Sequence, residues 1–256
     1  MFVDPLAEQT MTPYQYVNNN PINMVDPTGM KGEDWVVDKN GNIYWDENAT
    51  SQSSTKKGET YLGKNVLVGT HNRDNDGNEP INSATFDLYL ESNKNGPSAT
   101  IKGNTVPADN TISGTLAEGI YSAKFGHRNA KKYHNELALR IYNLDFSDGL
   151  PTLNGNPNPK SNGKTLTGVL FHSGNPYQES LRDSKGRPVW SHGCQTSGCG
   201  AGSIEKHNNF MNIAGKDFKG TYYLRPKPVG NTQAISRNRN FNNYRLNIKV
   251  DNTYVA

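Results

Sequence analysis

From Asn65 onward the chain alternates short apolar runs with polar turn clusters. Asn65-Val-Leu-Val68, Ala84 to Leu90, Gly119 to Phe125, Leu137 to Tyr142 and Gly168-Val-Leu-Phe171 have strand composition, several with apolar and polar positions exchanging every second residue. Clusters of Gly, Asn and Pro separate them at 72–80, 93–96 and 148–163. One helix is expected, Ser203 to Ala214, with Ser203 as N-cap and Gly215 just past its end. Gly220 to Leu224 returns to strand, and Pro226 and Pro228 stop it. Farther back, Trp35-Val-Val37 and Ile43-Tyr-Trp45 flank Asn40-Gly41, a pair that favours a tight hairpin turn. The pattern as a whole predicts a mainly β protein with a single helix.

Composition agrees with that pattern. Only 33% of residues are hydrophobic, with 25 Gly and 14 Pro, which suits short strands and many turns. The chain of 256 residues has length for one large or two small domains. A net charge of +3 is mild and makes no demand for an anionic polymer. Arg237 and Arg239 lie among asparagines without interleaved aromatics, so nucleic-acid binding has no support. No apolar run reaches the length of a membrane span, and Met1-Phe-Val-Asp-Pro lacks the basic start and apolar core of a signal peptide.

Four regions follow. Residues 1–30 are dense in Pro and Asn; residues 31–64 hold the hairpin and a Ser/Thr/Lys stretch, Thr50 to Gly58, that reads as a linker; residues 65–230 hold the β pattern; residues 231–256 form a basic tail in which Tyr244 to Val250 alternates like an edge strand. The run Asp74-Asn-Asp-Gly-Asn-Glu79 orders its oxygen ligands like a calcium loop but lacks the closing glutamate, and a solvated turn is the better reading.

Nucleophile chemistry is concentrated between Thr165 and Gly202, which contains both cysteines, Cys194 and Cys199, and two histidines, His172 and His192. A cysteine attacks as its thiolate, which a neighbouring base, a cation or a helix N-terminus can populate. His192 stands two residues before Cys194. His172, at the end of an expected strand, supplies better geometry from a separate element, and we read it as the general base with Ser173 or another local carbonyl fixing its tautomer. Gly193 permits a tight turn whose amides can face a developing oxyanion.

Phe171-His172-Ser173 followed by Ser191-His192-Gly193-Cys194 resembles the YkuD-type L,D-transpeptidases. The resemblance spans about residues 85–226 and implies a β-sandwich or barrel with one helix after the catalytic turn. It implies Cys194 as the acyl-forming nucleophile, His172 as its base, Ser173 orienting that base, and His192 and Gly193 shaping the turn. Ser191 and Tyr121, the latter from a loose Gly119-Ile-Tyr121 echo, fall on the substrate side. Gln195-Thr196 departs from the family pattern after the cysteine, and Arg182, Arg187 or Arg225 would then replace a substrate carboxylate contact. The family chemistry acts on peptidoglycan stem peptides and needs no metal or cofactor. Separately, Tyr16-Val-Asn-Asn-Asn-Pro-Ile-Asn-Met-Val-Asp-Pro-Thr-Gly29 is similar to the closing tract of an Rhs/YD-repeat shell, after which a variable toxin domain begins. That context implies delivery by a type VI apparatus into the periplasm of a rival bacterium, and a cognate immunity protein.

Two other readings stand beside this one: a zinc-dependent hydrolase using His172, His192, Cys194 and Cys199, and a non-catalytic wall-binding module. Cys199 is expected to be structural, and a Cys194–Cys199 disulfide would act as an off-switch.

Overall fold

The computed structural model describes residues 33–73, 79–106, 114–128, 136–153, 165–174, 191 and 193–225. The described residues open with β1 (Asp34–Val37), β2 (Ile43–Asp46) and β3 (Thr60–Gly63), an antiparallel sheet in the order β2-β1-β3. There follow β4 (Val66–Thr70), β5 (Ala84–Tyr89), β6 (Ala99–Asn104), β7 (Gly119–His127) and β8 (Leu137–Tyr142). A small ribbon, β9 (Leu150–Pro151) with β10 (Thr165–Leu166), leads to β11 (Leu170–Ser173), β12 (Gln195–Ser197), α1 (Ser203–Ala214) and β13 (Lys219–Arg225). Eight strands close into a barrel in the order β11-β12-β6-β5-β4-β13-β7-β8, which leaves none of them an open edge. β11 with β12 and β4 with β13 are parallel; the other barrel pairs are antiparallel.

Alternation along each strand decides what faces inward. Leu67, Phe86, Leu88, Tyr121, Leu139, Ile141, Phe171, Tyr222 and Leu224 fill the barrel, and Phe210 and Met211 of α1 join the same core. Each fully buried Leu or Phe stabilises the fold by about 1.5–3 kcal/mol. Ser203 Oγ donates to the Gly174 carbonyl at 2.7 Å, and His207 Nε2 lies 2.8 Å from the Leu137 carbonyl, so α1 covers the barrel end where β11 and β12 finish and β8 begins. The helix bounds match the sequence expectation, but the N-cap position is Gly202 at φ 73, because the Ser203 hydroxyl is spent on Gly174.

This three-stranded sheet packs on the barrel, while 50–58 stays at the surface. Trp35, Val37 and Leu62 bury against the outward-facing Val66, Val68, Tyr89 and Tyr223 of the barrel, with Trp45 alongside. Within 50–58, Ser54 Oγ accepts the amides of Thr50 and Ser51 at 2.8 and 3.1 Å, and Lys56 reaches Asp46 at 3.3 Å. Ser and Thr that read as flexible in isolation here saturate their own backbone. The Rhs-like tract of residues 1–30 and the basic tail of 231–256 lie outside the described residues. Among those described, no helix is long and apolar enough to cross a membrane.

Candidate functional site

β11 and β12 pair in parallel with Phe171 opposite Gln195, His172 opposite Thr196 and Ser173 opposite Ser197. Phe171 packs on Phe86, and the Gln195 side chain accepts the Tyr222 hydroxyl at 2.8 Å, so these two point into the barrel. His172 and Thr196 therefore point outward, and Cys194, one step before Gln195, falls on the same outer face beside Leu170. A backbone hydrogen bond from Leu170 to the sulfur agrees with that placement. Cys194 and His172 are thus diagonal neighbours on adjacent strands, a spacing of about 7–8 Å between backbones that an imidazole spans.

His172 is buried, and its Nδ1 lies 2.5 Å from the Ser173 carbonyl oxygen. A carbonyl only accepts, so Nδ1 carries the hydrogen and Nε2 is left as the basic nitrogen. Burial, reinforced by the positive charge of Arg128, pushes the imidazole down to about 3, so it is neutral at pH 7. Burial pushes the Cys194 thiol up, with the Leu170 hydrogen bond and Arg128 opposing and Glu136 assisting. The resting pair is a neutral thiol beside a neutral imidazole.

Two residues invisible in the sequence brace this pair. Glu136, buried at the start of β8, accepts the Ser173 amide at 2.6 Å and the Arg128 guanidinium at 3.1 Å, and lies 3.8 Å from His172 Nδ1. Arg128, just past β7, is the cation whose charge reaches both His172 and Cys194. The contact between Ser173 and His172 runs through the Ser173 main chain: the Ser173 hydroxyl is buried with no partner among the described residues.

The turn that carries Cys194 is built by Ser191 and Gly193. Ser191 Oγ donates to the Cys194 carbonyl at 2.9 Å and accepts the Gly193 amide at 3.4 Å, so this hydroxyl organises the turn. Gly193 sits at φ 124, and a Cβ there would meet Leu166 at 2.8 Å and the Gly114 carbonyl at 2.9 Å. Both conformation and space exclude any other residue. His192, Arg182 and Arg187 lie outside the described residues.

The other expected contacts are not brought to Cys194. Tyr121 stacks on Tyr222 inside the barrel and donates its hydroxyl to Ala117 at 2.7 Å. Arg225 belongs to β13, diametrically across the barrel from β12, where it bonds Thr70 Oγ1 and the Gly41 carbonyl. Sequence spacing gives neither position around the barrel nor inward against outward facing. The N-terminus of α1 is also remote, at Gly174, and lends Cys194 no dipole.

Cys199 is likewise held apart. A Cβ on Gly174 would stand 2.5 Å from the Cys199 sulfur, and Asn104 Nδ2 lies 3.5 Å from that sulfur. Gly174 is four strand steps beyond Leu170, so the two sulfurs are separated by about 13 Å along β11 and β12. Neither cysteine is in a disulfide, and the spacing is too long for a Cys194–Cys199 bond or for one zinc ion ligated by both thiolates. Glu79, the described member of the calcium-like run, spends its oxygens on the amides of Asn72 and Thr105 at 2.7 and 2.8 Å. Compared with models of known protein families, with curated proteins and with solved structures, the chain matches none.

Proposed function

We propose that the barrel is a cysteine acyl-transfer domain of the YkuD-like L,D-transpeptidase kind, acting on peptidoglycan stem peptides as the toxin part of an Rhs-type chain. The observation that carries this reading is the outward-facing pair on adjacent parallel strands: Cys194 diagonal to a neutral His172 whose Nδ1 is tied to a backbone carbonyl. In the reaction His172 Nε2 takes the thiol proton as the sulfur bonds to the carbonyl carbon of the L,D peptide bond. The tetrahedral adduct collapses, the C–N bond breaks, and the imidazolium returns its proton to the departing amine. An acceptor amine or water, deprotonated by His172, then attacks the thioester and frees the thiol. Glu136 favours the transient imidazolium from 3.8 Å, holding back charge that Arg128 alone would repel.

Such a toxin acts in the periplasm of a target bacterium, and its bearer needs an immunity protein that covers the His172 and Cys194 face. The test is mass analysis of muropeptides incubated with the wild-type chain and with Cys194→Ala. Loss or exchange of the terminal D-residue by the wild type alone is expected; tetrapeptides left intact by the wild type would sink the proposal.

A further inference from the structure

The outer face that holds Cys194 continues sideways into an unusual row. Lys219 of β13 is directly opposite Lys124 of β7, Lys124 is opposite Arg140 of β8, and Arg140 is opposite Leu170 of β11, the neighbour of Cys194. All three cations are exposed. Like charges facing each other across strands destabilise a sheet, and this barrel carries two such pairs in succession. Asp148 approaches Arg140 only to 4.0 Å, while its carboxylate accepts the amides of Gly149 and Gly168.

The heads are also steadied. Arg140 lies 5.5 Å over the Tyr142 ring and Lys219 lies 5.3 Å over Phe146. Phe146 is 43% exposed and holds φ 63, a left-handed conformation that Gly or Asn adopts more cheaply. Two local rules, cross-strand charge pairing and backbone preference, are thus broken side by side on one strip of surface, the pattern expected where function outweighs stability.

We propose that Arg140, Lys124 and Lys219 form an anion-binding row for the carboxylates of a peptide chain whose acyl carbonyl is presented to Cys194. The inference rests on the acyl-transfer reading and adds to it the direction and charge of the bound chain. Strands about 4.8 Å apart place Arg140 about 10 Å and Lys219 about 19 Å from Cys194, which an extended peptide covers in roughly three to six residues. Beyond Leu170, a chain crossing the strands meets a cation on each of β8, β7 and β13.

The experiment uses the full chain bearing Cys194→Ala and a fluorescein-labelled stem tetrapeptide, once with free side carboxylates and once amidated, read by anisotropy at low salt and at about 0.5 M salt. The carboxylated peptide is expected to bind more tightly than the amidated one and to lose the difference in high salt. Lys124→Gln, Lys219→Gln and Arg140→Gln should each weaken it about threefold, and the triple variant roughly 25-fold. Lys124→Gln should leave Tm unchanged or raise it, since it relieves like-charge pairs. In the catalytic chain the same changes should fall on KM more than on kcat. Equal affinity for the two peptides, or triple-variant affinity within about twofold of the parent, overturns the row. Charge-dependent retention on heparin without peptide binding overturns the assignment to a peptide. Turnover indifferent to these substitutions defeats the row alone, whereas charge-dependent binding without any turnover defeats the acyl-transfer reading alone.

Discussion

The protonation state of the Cys194 and His172 pair makes a prediction that separates this site from a preformed ion pair. Burial lifts the thiol above its ordinary value of 9.0, so at pH 7 the thiolate is below about 1% of the population. Alkylation by iodoacetamide consumes thiolate, and its rate on Cys194 should therefore climb about tenfold per pH unit from pH 6 to 9. Turnover should behave differently. It needs the neutral thiol and the neutral imidazole together, and an imidazole pushed down to about 3 stays unprotonated throughout that range. The turnover rate should be level from about pH 5 to 8 while alkylation rises steeply. The assay is site-resolved mass spectrometry of alkylated peptides from a Cys199→Ser chain, with Cys194→Ser as the blank, beside muropeptide turnover at the same pH values. Alkylation of Cys194 as fast at pH 5 as at pH 8 would reveal an imidazolium-stabilised thiolate and refute the neutral-pair argument.

Other outcomes follow from the same contacts. Ser173→Ala should keep kcat within about twofold and leave stability level or about 1 kcal/mol higher, because the carbonyl that holds His172 remains and a buried unpaired hydroxyl is lost; a large fall in kcat would assign the hydroxyl a role denied here. Gly174→Ala would put a Cβ 1.9 Å from the Gly198 carbonyl and 2.5 Å from the Cys199 sulfur, and should cost about 1–3 kcal/mol or more in urea unfolding. His172 and His207 are lowered from 6.5 to about 3 and about 4 in the fold, so their contribution is complete above pH 6.5 and drains away as pH falls towards those values. Between pH 7 and 5 the unfolding free energy should drop by about 2–4 kcal/mol; a level value across that interval would contradict their burial as neutral groups.

What the sequence revealed depended on whether a position's type also declared its facing. β5 and β8 carry large apolar residues at the inward positions, and their alternation is plain. β6 turns Ala99, Ile101 and Gly103 inward, and β12 turns Gln195 and Ser197 inward, so neither shows a strand pattern although both are integral to the barrel. Cys194 and His172 were legible as candidates because a strand end and a glycine turn are local features. Glu136 was not, because its bond to the Ser173 amide spans 37 residues and exists only once β8 and β11 are paired.

Gln195 sharpens the same lesson, for it stands where an apolar residue follows the cysteine in the resembling family. It is fully buried, yet its oxygen accepts the Tyr222 hydroxyl at 2.8 Å and its nitrogen donates to the Thr105 carbonyl at 3.3 Å. Burying an amide is costly unless its partners are met, and here they are drawn from β13 across the barrel and from the segment just after β6. An apolar substitute would leave the Tyr222 hydroxyl unsatisfied at a cost of about 1–3 kcal/mol. The departure after Cys194 is therefore a structural device. The barrel is closed and filled, so Cys194 sits on its outer wall, one residue before a side chain pinned to two separate strands' surroundings. Fixing Gln195 from inside fixes the backbone that presents Cys194 outside, which is the precision a diagonal cysteine and histidine pair requires.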